Sequence, residues 1–179
     1  MKYRWLFFLF YFYSMVNANA TIFYSKNEAL ELAFGKEVQT ELLSLFPDKT
    51  ETAAIENLAK VKLESGLLSI YVGKQQGKIK GYAAIESEIV RSKPETIMVV
   101  LSPEGQVDKV ILLAFHEPPE YQPTENWFDQ FKQKKLEELE LNNGIQGISG
   151  ATLSTRSTVN TVRKVLAVYQ ILIKKMSKP

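Results

Sequence analysis

The residues best suited to chemistry lie in a short stretch of glycines and hydroxyl side chains near the end of the chain, at 147–155. Gly147 and Gly150 allow the backbone to bend and to approach a ligand closely. A helix is predicted to follow over 155–175, and the first N–H groups of a helix have no acceptor within it. Because these groups and the helix dipole attract anions, the stretch favours a phosphate.

Two other interpretations of this stretch remain open at this stage. Ser, Thr and Gly are common at helix caps and turns, because their side chains or backbone satisfy local hydrogen bonds. Residues 147–151 also resemble a nucleophile elbow, which requires a strand before it and a distant His base. The preceding residues 142–146 predict a loop, so a hydrolase is disfavoured.

The first twenty residues have the organisation of a secretory signal peptide. Lys2 and Arg4 precede an apolar and aromatic run over 5–13, and Ala18 and Ala20 supply small residues before the cleavage expected after Ala20. The run is shorter than the roughly 20 residues that span a membrane. We therefore expect a periplasmic or otherwise exported protein, with an uncleaved N-terminal membrane anchor as the alternative.

Composition excludes several classes of function. The chain has 22 basic and 20 acidic residues, and removal of 1–20 takes away two basic residues, so the two signs become equal. Nucleic acid is not an expected partner, since it requires a concentrated basic face. The absence of Cys excludes disulfides, iron–sulfur clusters and thiol catalysis. His116 is the only His, so a two-His metal site is excluded. No metal site and no catalytic residue are predicted.

The apolar pattern predicts an α+β fold. Ser25 and Glu28 form a capping box for a helix that ends at Gly35, a second helix is expected over 48–60, and 38–46 is ambiguous between strand and helix. We expect residues 21–66 to form an N-terminal helical cap. An antiparallel sheet of about four strands should follow, with strands at 67–72, 79–90, 96–101 and 107–115.

A long amphipathic helix is predicted to close the chain. Its apolar stripe keeps helical spacing, while Arg163 and Lys164 fall largely outside it. The stripe comprises Val159, Val162, Val165, Leu166, Tyr169, Leu172 and Ile173. Between sheet and helix lies a Pro-rich loop, in which Thr124 or Asn126 can cap a short helix that carries Trp127, Phe128 and Phe131.

Ser149-Gly150-Ala151-Thr152 resembles the flavinylation motif of the FMN-binding-domain family. That family includes the covalent-flavin subunits of sodium-translocating NADH:quinone reductase and of Rnf-type complexes, and small exported proteins. In it, the last Thr of the motif carries FMN through a phosphoester that a dedicated flavin transferase adds. The resemblance covers roughly 67–173 and includes the His116-Glu117-Pro118-Pro119 loop. The family usually has an acidic residue where this chain has Gln146.

The resemblance implies an exported flavoprotein with FMN esterified to Thr152, acting in electron transfer with a membrane or exported redox partner. The domains would be a signal peptide (1–20), the helical cap (21–66) and the FMN-binding domain (67–179). The flavin-side residues would be Ser149, Gly150, Ala151, Thr152, Leu153, Ser154, Thr155, Glu117, Tyr121 and Trp127. For Trp127 the alternative is a core aromatic. Two alternative functions remain: an exported interaction domain without flavin, and a reductase subunit with non-covalent FMN.

Overall fold

A single antiparallel sheet of six strands organises the protein. The computed structural model describes residues 21–176, and the expected signal peptide lies outside them. The strand order is β1-β6-β5-β4-β3-β2. The strands are β1 (Thr21–Ile22), β2 (Gln39–Leu45), β3 (Leu68–Gln75), β4 (Lys78–Ile89), β5 (Pro94–Leu101) and β6 (Val107–Phe115). The α+β class and the four predicted strands are confirmed, but the sheet has two strands more than predicted.

Four helices and a short terminal turn surround the sheet. They are α1 (Lys26–Phe34), α2 (Lys49–Ala59), α3 (Glu125–Phe128), α4 (Thr152–Val168) and, after a π-helical turn at Tyr169–Ile173, α5 (Lys174–Met176). Short 3-10 turns lie at Pro119–Tyr121, Asp129–Phe131 and Leu136–Glu138. Within residues 21–176, none of the helices combines the length and the apolar character that crossing a membrane requires.

The predicted N-terminal helical cap is corrected by the structure. Residues 39–45 pair with β3 along their whole length and form an edge strand, and Thr21–Ile22 pair with β6 at the opposite edge. The ambiguity arose because β2 is exposed along most of its length, with only Leu45 fully buried and Leu42 and Phe46 exposed. An edge strand of this kind lacks the clean alternation that identifies a strand. A two-residue strand is too short for any periodicity.

The two helices of the N-terminal segment lie on opposite faces of the sheet. The capping boxes that begin them are present, with Ser25 and Glu28 on α1 and Asp48 and Glu51 on α2. The buried side chains of α1 pack with Ala83, Met98 and Val100. Those of α2 share the other, larger core with α4 and with the alternate residues of β5. Central strand β5 is therefore apolar on both faces, which explains its continuous hydrophobic run.

The predicted apolar stripe of the last helix is buried throughout, but Arg163 was wrongly placed outside it. Arg163 is 7% exposed. Its Nε donates to the Ala59 carbonyl at 2.7 Å, and its Nη1 donates to the carbonyls of Leu139 at 2.8 Å and Leu136 at 3.1 Å. The guanidinium thus joins α4 to the end of α2 and to the turn before the Gly-rich loop. Periodicity missed it because a fork of donors can satisfy carbonyls inside a core.

We expect Arg163→Met to lower the free energy of unfolding by about 3 kcal/mol, because several buried carbonyls lose their donors. Chemical denaturation measures the loss. Arg156→Met, an exposed change on the same helix, should cost less than about 0.5 kcal/mol. Equal effects of the two substitutions would contradict the buried role of Arg163.

Candidate functional site

A cavity of about 200 Å³ lies where the start of α4 meets the turn after β4 and the loop after β6. It brings together residues that are far apart in sequence. Its lining is Val90, Arg91, Glu117, Tyr121, Gly150, Ala151, Thr152, Leu153 and Ser154. Most of the residues that the sequence analysis selected therefore meet at one place. Ser149, Thr155 and Trp127 are outside this lining.

The start of α4 has no capping side chain. Its N-cap is Ala151, and the first helical bond runs from the Thr155 N–H to the Ala151 carbonyl at 3.0 Å. The N–H groups of 152–154 therefore have no acceptor in the helix. The Ser and Thr side chains here do not cap the helix, and α4 begins at Thr152, three residues before the predicted start. The helix start thus presents free donors to an anion.

Gly150 gives the chain its direction into the helix. Its φ is +88°, a conformation that side-chain-bearing residues rarely adopt. No atom would meet a Cβ at this position within 4 Å. The backbone conformation, and not crowding, therefore accounts for glycine here. The turn leaves Thr152 exposed and Leu153 44% exposed at the cavity.

The hydroxyls of Ser154 and Thr155 differ in whether they are free to bind a ligand. Thr155 is fully buried, and its Oγ1 donates to the carbonyls of Thr152 at 3.1 Å and Ala151 at 3.2 Å, so its role is within the helix. Ser154 is 1% exposed and lines the cavity, yet its Oγ has no hydrogen-bond partner among the described residues. A buried hydroxyl without a partner costs free energy, so its presence at a cavity indicates a ligand or a water there.

Glu117 shapes one wall of the cavity. Its Oε1 accepts the backbone N–H groups of Ser92 at 2.6 Å, Lys93 at 2.7 Å and Arg91 at 3.1 Å. Burial raises the pKa of Glu117, but these backbone hydrogen bonds outweigh it, and the pKa lies below its ordinary value. The carboxylate therefore stays ionised and holds the turn after β4. Its contribution to the cavity is to position that turn.

Arg91, which the sequence analysis missed, stands on this turn. Its guanidinium carbon lies 5.7 Å from the centre of the Tyr121 ring, within cation–π range. Both side chains line the cavity, and Arg91 is exposed. The only signal in the sequence is a cation between the end of a strand and Pro94, which is too common to identify a site. The arrangement places a positive charge and an aromatic face opposite the start of α4.

Trp127 acts on the loop from outside the cavity. It is 7% exposed, packs edge-on against Phe128 and Phe131, and donates from Nε1 to the Gln146 carbonyl at 2.6 Å. The Gln146 N–H donates in turn to Gln130 Oε1 at 2.8 Å. The Pro-rich segment therefore fixes the Gly-rich loop through backbone groups of Gln146.

A buried carboxyl lies further along α4. Glu95 is 2% exposed, and its Oε1 accepts the Thr158 hydroxyl at 2.9 Å, while its Oε2 has no partner among the described residues. Burial raises the pKa of Glu95 to about 7, and the Thr158 hydrogen bond opposes this only in part. Glu95 was not selected from the sequence because the third strand was predicted to begin at Thr96, one residue after it, whereas β5 begins at Pro94.

A second cavity is larger but less suited to specific chemistry. About 280 Å³ in volume, it lies between α1, β6 and the segment before α3. Lys109, one of its charged residues, donates to the Leu32 carbonyl at 3.0 Å. Among the described residues, two buried side-chain oxygens lack a hydrogen-bond partner, and neither belongs to the lining of this cavity. Residues 21–176 also contain no cluster of three or more His, Asp or Glu side chains that could hold a metal ion.

Comparison with known proteins gives two matches. The family model described as "FMN-binding domain" matches residues 65–167. Among solved structures, the fold is similar to that of NqrC from Shewanella oneidensis, with a TM-score of 0.56 and 15% sequence identity, over 85% of this chain and 89% of that one. At this identity the likeness concerns the fold alone. A comparison with curated proteins gave no match.

We expect Glu117→Gln to loosen the turn after β4, because a neutral amide oxygen accepts backbone N–H groups less strongly than a carboxylate. Hydrogen exchange of the amides of 91–93 should accelerate by about tenfold. Glu120→Gln, at an exposed neighbour in the same loop, should leave these amides unchanged. Unchanged exchange in Glu117→Gln would show that the carboxylate does not hold the turn.

Glu95 should make the protein less stable as the pH rises. Its pKa in the folded state, about 7, exceeds the ordinary 4.5, so between these values the folded state binds a proton that the unfolded state has lost. The free energy of unfolding should therefore fall across this window by an amount of the order of 3 kcal/mol, relative to Glu95→Gln. Denaturation of both proteins from pH 4 to pH 8 measures it. Parallel curves would contradict the burial of an unpaired carboxyl.

Proposed function

The chain belongs to the FMN-binding domain family, and from this premise we propose that it is an exported electron-transfer flavoprotein with FMN esterified to Thr152. One observation carries the covalent assignment. Thr152 is an exposed hydroxyl residue at the first position of a helix that no side chain caps, beside the buried and unpartnered Ser154 hydroxyl. A phosphate attached there would receive the hydrogen bonds that these groups lack.

The residues of the site fit the phosphate of FMN. The N–H groups of 152–154 point out of the helix start, where the dipole favours an anion. The Ser154 hydroxyl can donate to a phosphate oxygen, and Arg91 supplies a positive charge from the opposite wall. A phosphodiester formed through the Thr152 Oγ1 retains one negative charge, which these groups would stabilise.

The ring of the flavin can be held by the apolar and aromatic part of the same cavity. Tyr121, Val90 and Leu153 offer surfaces against which a planar ring can pack. Glu117 would act through the turn that it holds, by keeping Arg91 in place. The flavin, when bound, supplies the electron transfer, while the protein supplies orientation and electrostatics.

Export and covalent attachment support each other. The organisation of residues 1–20 predicts a signal peptide. A cofactor outside the cytoplasm can be lost by dilution, and an ester bond prevents that loss. The proposal requires a flavin transferase to attach FMN, and a membrane or exported redox partner to exchange electrons.

Gln146 is compatible with this proposal. Its N–H and its carbonyl hold the loop through Gln130 and Trp127, whereas its side chain is exposed and forms no hydrogen bond within residues 21–176. Because the loop is held by backbone groups of residue 146, its conformation should be the same with Gln or with an acidic residue at this position. We expect Gln146→Glu to be flavinylated at least as fully as the natural chain.

The test is the intact mass of the mature protein after co-expression with a flavin transferase. We expect a gain of one FMN minus water, retained in denaturant and absent from Thr152→Ala. Ser157→Ala is the matched control, because Ser157 is a hydroxyl residue of α4 outside both the motif and the cavity lining, and it should keep the added mass.

No added mass, in a host that flavinylates a control protein, would refute the ester. Flavin that is present but released by denaturant would instead indicate non-covalent FMN. Colourless protein in which Gln146→Glu is equally unmodified would favour an interaction domain without flavin.

A further inference from the structure

A line of buried polar groups continues from the candidate site into the core. It consists of Ser154, Thr158 and Glu95, and we refer to it as the buried polar column. Ser154 and Thr158 are one turn apart on α4, so their side chains lie on the same face of the helix. All three residues are at most 2% exposed, and Ser154 lines the cavity.

The column has unused hydrogen-bonding capacity at both ends. Thr158 Oγ1 donates to Glu95 Oε1, but Glu95 Oε2 and Ser154 Oγ have no partner among the described residues. A carboxyl whose second oxygen has no donor is poorly suited to hold a negative charge and well suited to hold a proton. Thr158 thus joins Glu95 to α4 one turn after Ser154, which lines the cavity.

The charged groups near Glu95 form their hydrogen bonds and ion pairs with other residues. On β4, Glu88 lies directly opposite Glu95, and Lys164 of α4 binds Glu88 at 2.6 Å and Glu86 at 2.8 Å. Beyond β6, the Glu117 carboxylate is held by backbone N–H groups. On β6 the residue opposite Glu95 is the apolar Phe115. In the part of the chain that the structure describes, Glu95 therefore forms no ion pair.

We propose that Glu95 binds a proton from solvent when negative charge enters the candidate flavin site, and releases it when that charge leaves. The proton adds to Glu95 Oε2, and no bond on the flavin forms or breaks in this step. Glu95 would act on the bound group through its charge and not by contact, since it is not among the residues that line the cavity. The inference rests on the proposed function, because FMN brings the charge.

The size of the effect follows from helix geometry. Thr158 is six residues after Thr152, or roughly 9 Å along the helix axis. A unit charge at about that distance, in a medium of intermediate dielectric, should increase the proton affinity of Glu95 about tenfold. Burial already raises the pKa of Glu95 to about 7. The expected further increase therefore lies near neutral pH, where a titration can follow it.

The experiment is a pH titration of the Glu95 carboxyl carbon by NMR in protein labelled at glutamate. The resonance is assigned by its absence from Glu95→Gln, and Glu37→Gln, an exposed change, controls for removal of a carboxylate. Titrations compare unloaded protein, protein carrying FMN and FMN-loaded protein reduced with dithionite. Loading should raise the pKa of Glu95 by about one, and reduction should raise it further.

Each result has a separate meaning. Loaded protein in which the pKa of Glu95 is unchanged overturns the proposal and leaves the flavin assignment intact. A pKa near the ordinary value in unloaded protein overturns it as well, because the carboxyl would then be solvated. If the protein takes up no FMN, either through a transferase or at saturating free FMN, the proposed function is refuted. The Glu95 proposal then fails as well, because FMN is its source of negative charge.

Discussion

The packing of α4 across one face of the sheet is the constraint on which the candidate site depends. Val159, Val162 and Leu166 lie in the larger core, and Arg163 fastens the same helix to α2. Because burial of these side chains stabilises the helix, its first turn can remain without a capping side chain. Core packing thereby offsets the cost of a helix start whose N–H groups remain free. The same packing sets the depth at which Ser154 and Thr158 face the sheet.

The surroundings of the site are held by backbone contacts more than by side chains of the motif. Glu117 organises the turn that carries Arg91, and Trp127 fixes the loop through the Gln146 carbonyl. Two buried carboxyls near one helix thus have opposite tendencies. Glu117 accepts several N–H groups and stays ionised, whereas Glu95 accepts a single hydroxyl and binds a proton readily. Desolvation raises the pKa of both carboxyls, but only at Glu117 do backbone N–H donors outweigh it.

Sequence reasoning recovered the parts of the molecule in which the pattern is strong. The capping box at Ser25, the four middle strands and the stripe on α4 follow from periodicity and local chemistry. Residues 39–45 were ambiguous because an exposed edge strand has a weak pattern. Arg91 and Glu95 could not be selected, since their importance arises from contacts with residues far away in the chain. Gly150 and Thr152 could be selected because the motif itself is local, and both line the cavity.

The covalent link is tested most directly by mapping it to a residue. Trypsin should release residues 136–156 as one peptide, since Lys135 and Arg156 bound it and no Lys or Arg lies between. Fragmentation of that peptide from protein made with a flavin transferase should place the FMN mass on Thr152. The mass on another residue, or an unmodified peptide from a protein that is nonetheless yellow, would contradict the account.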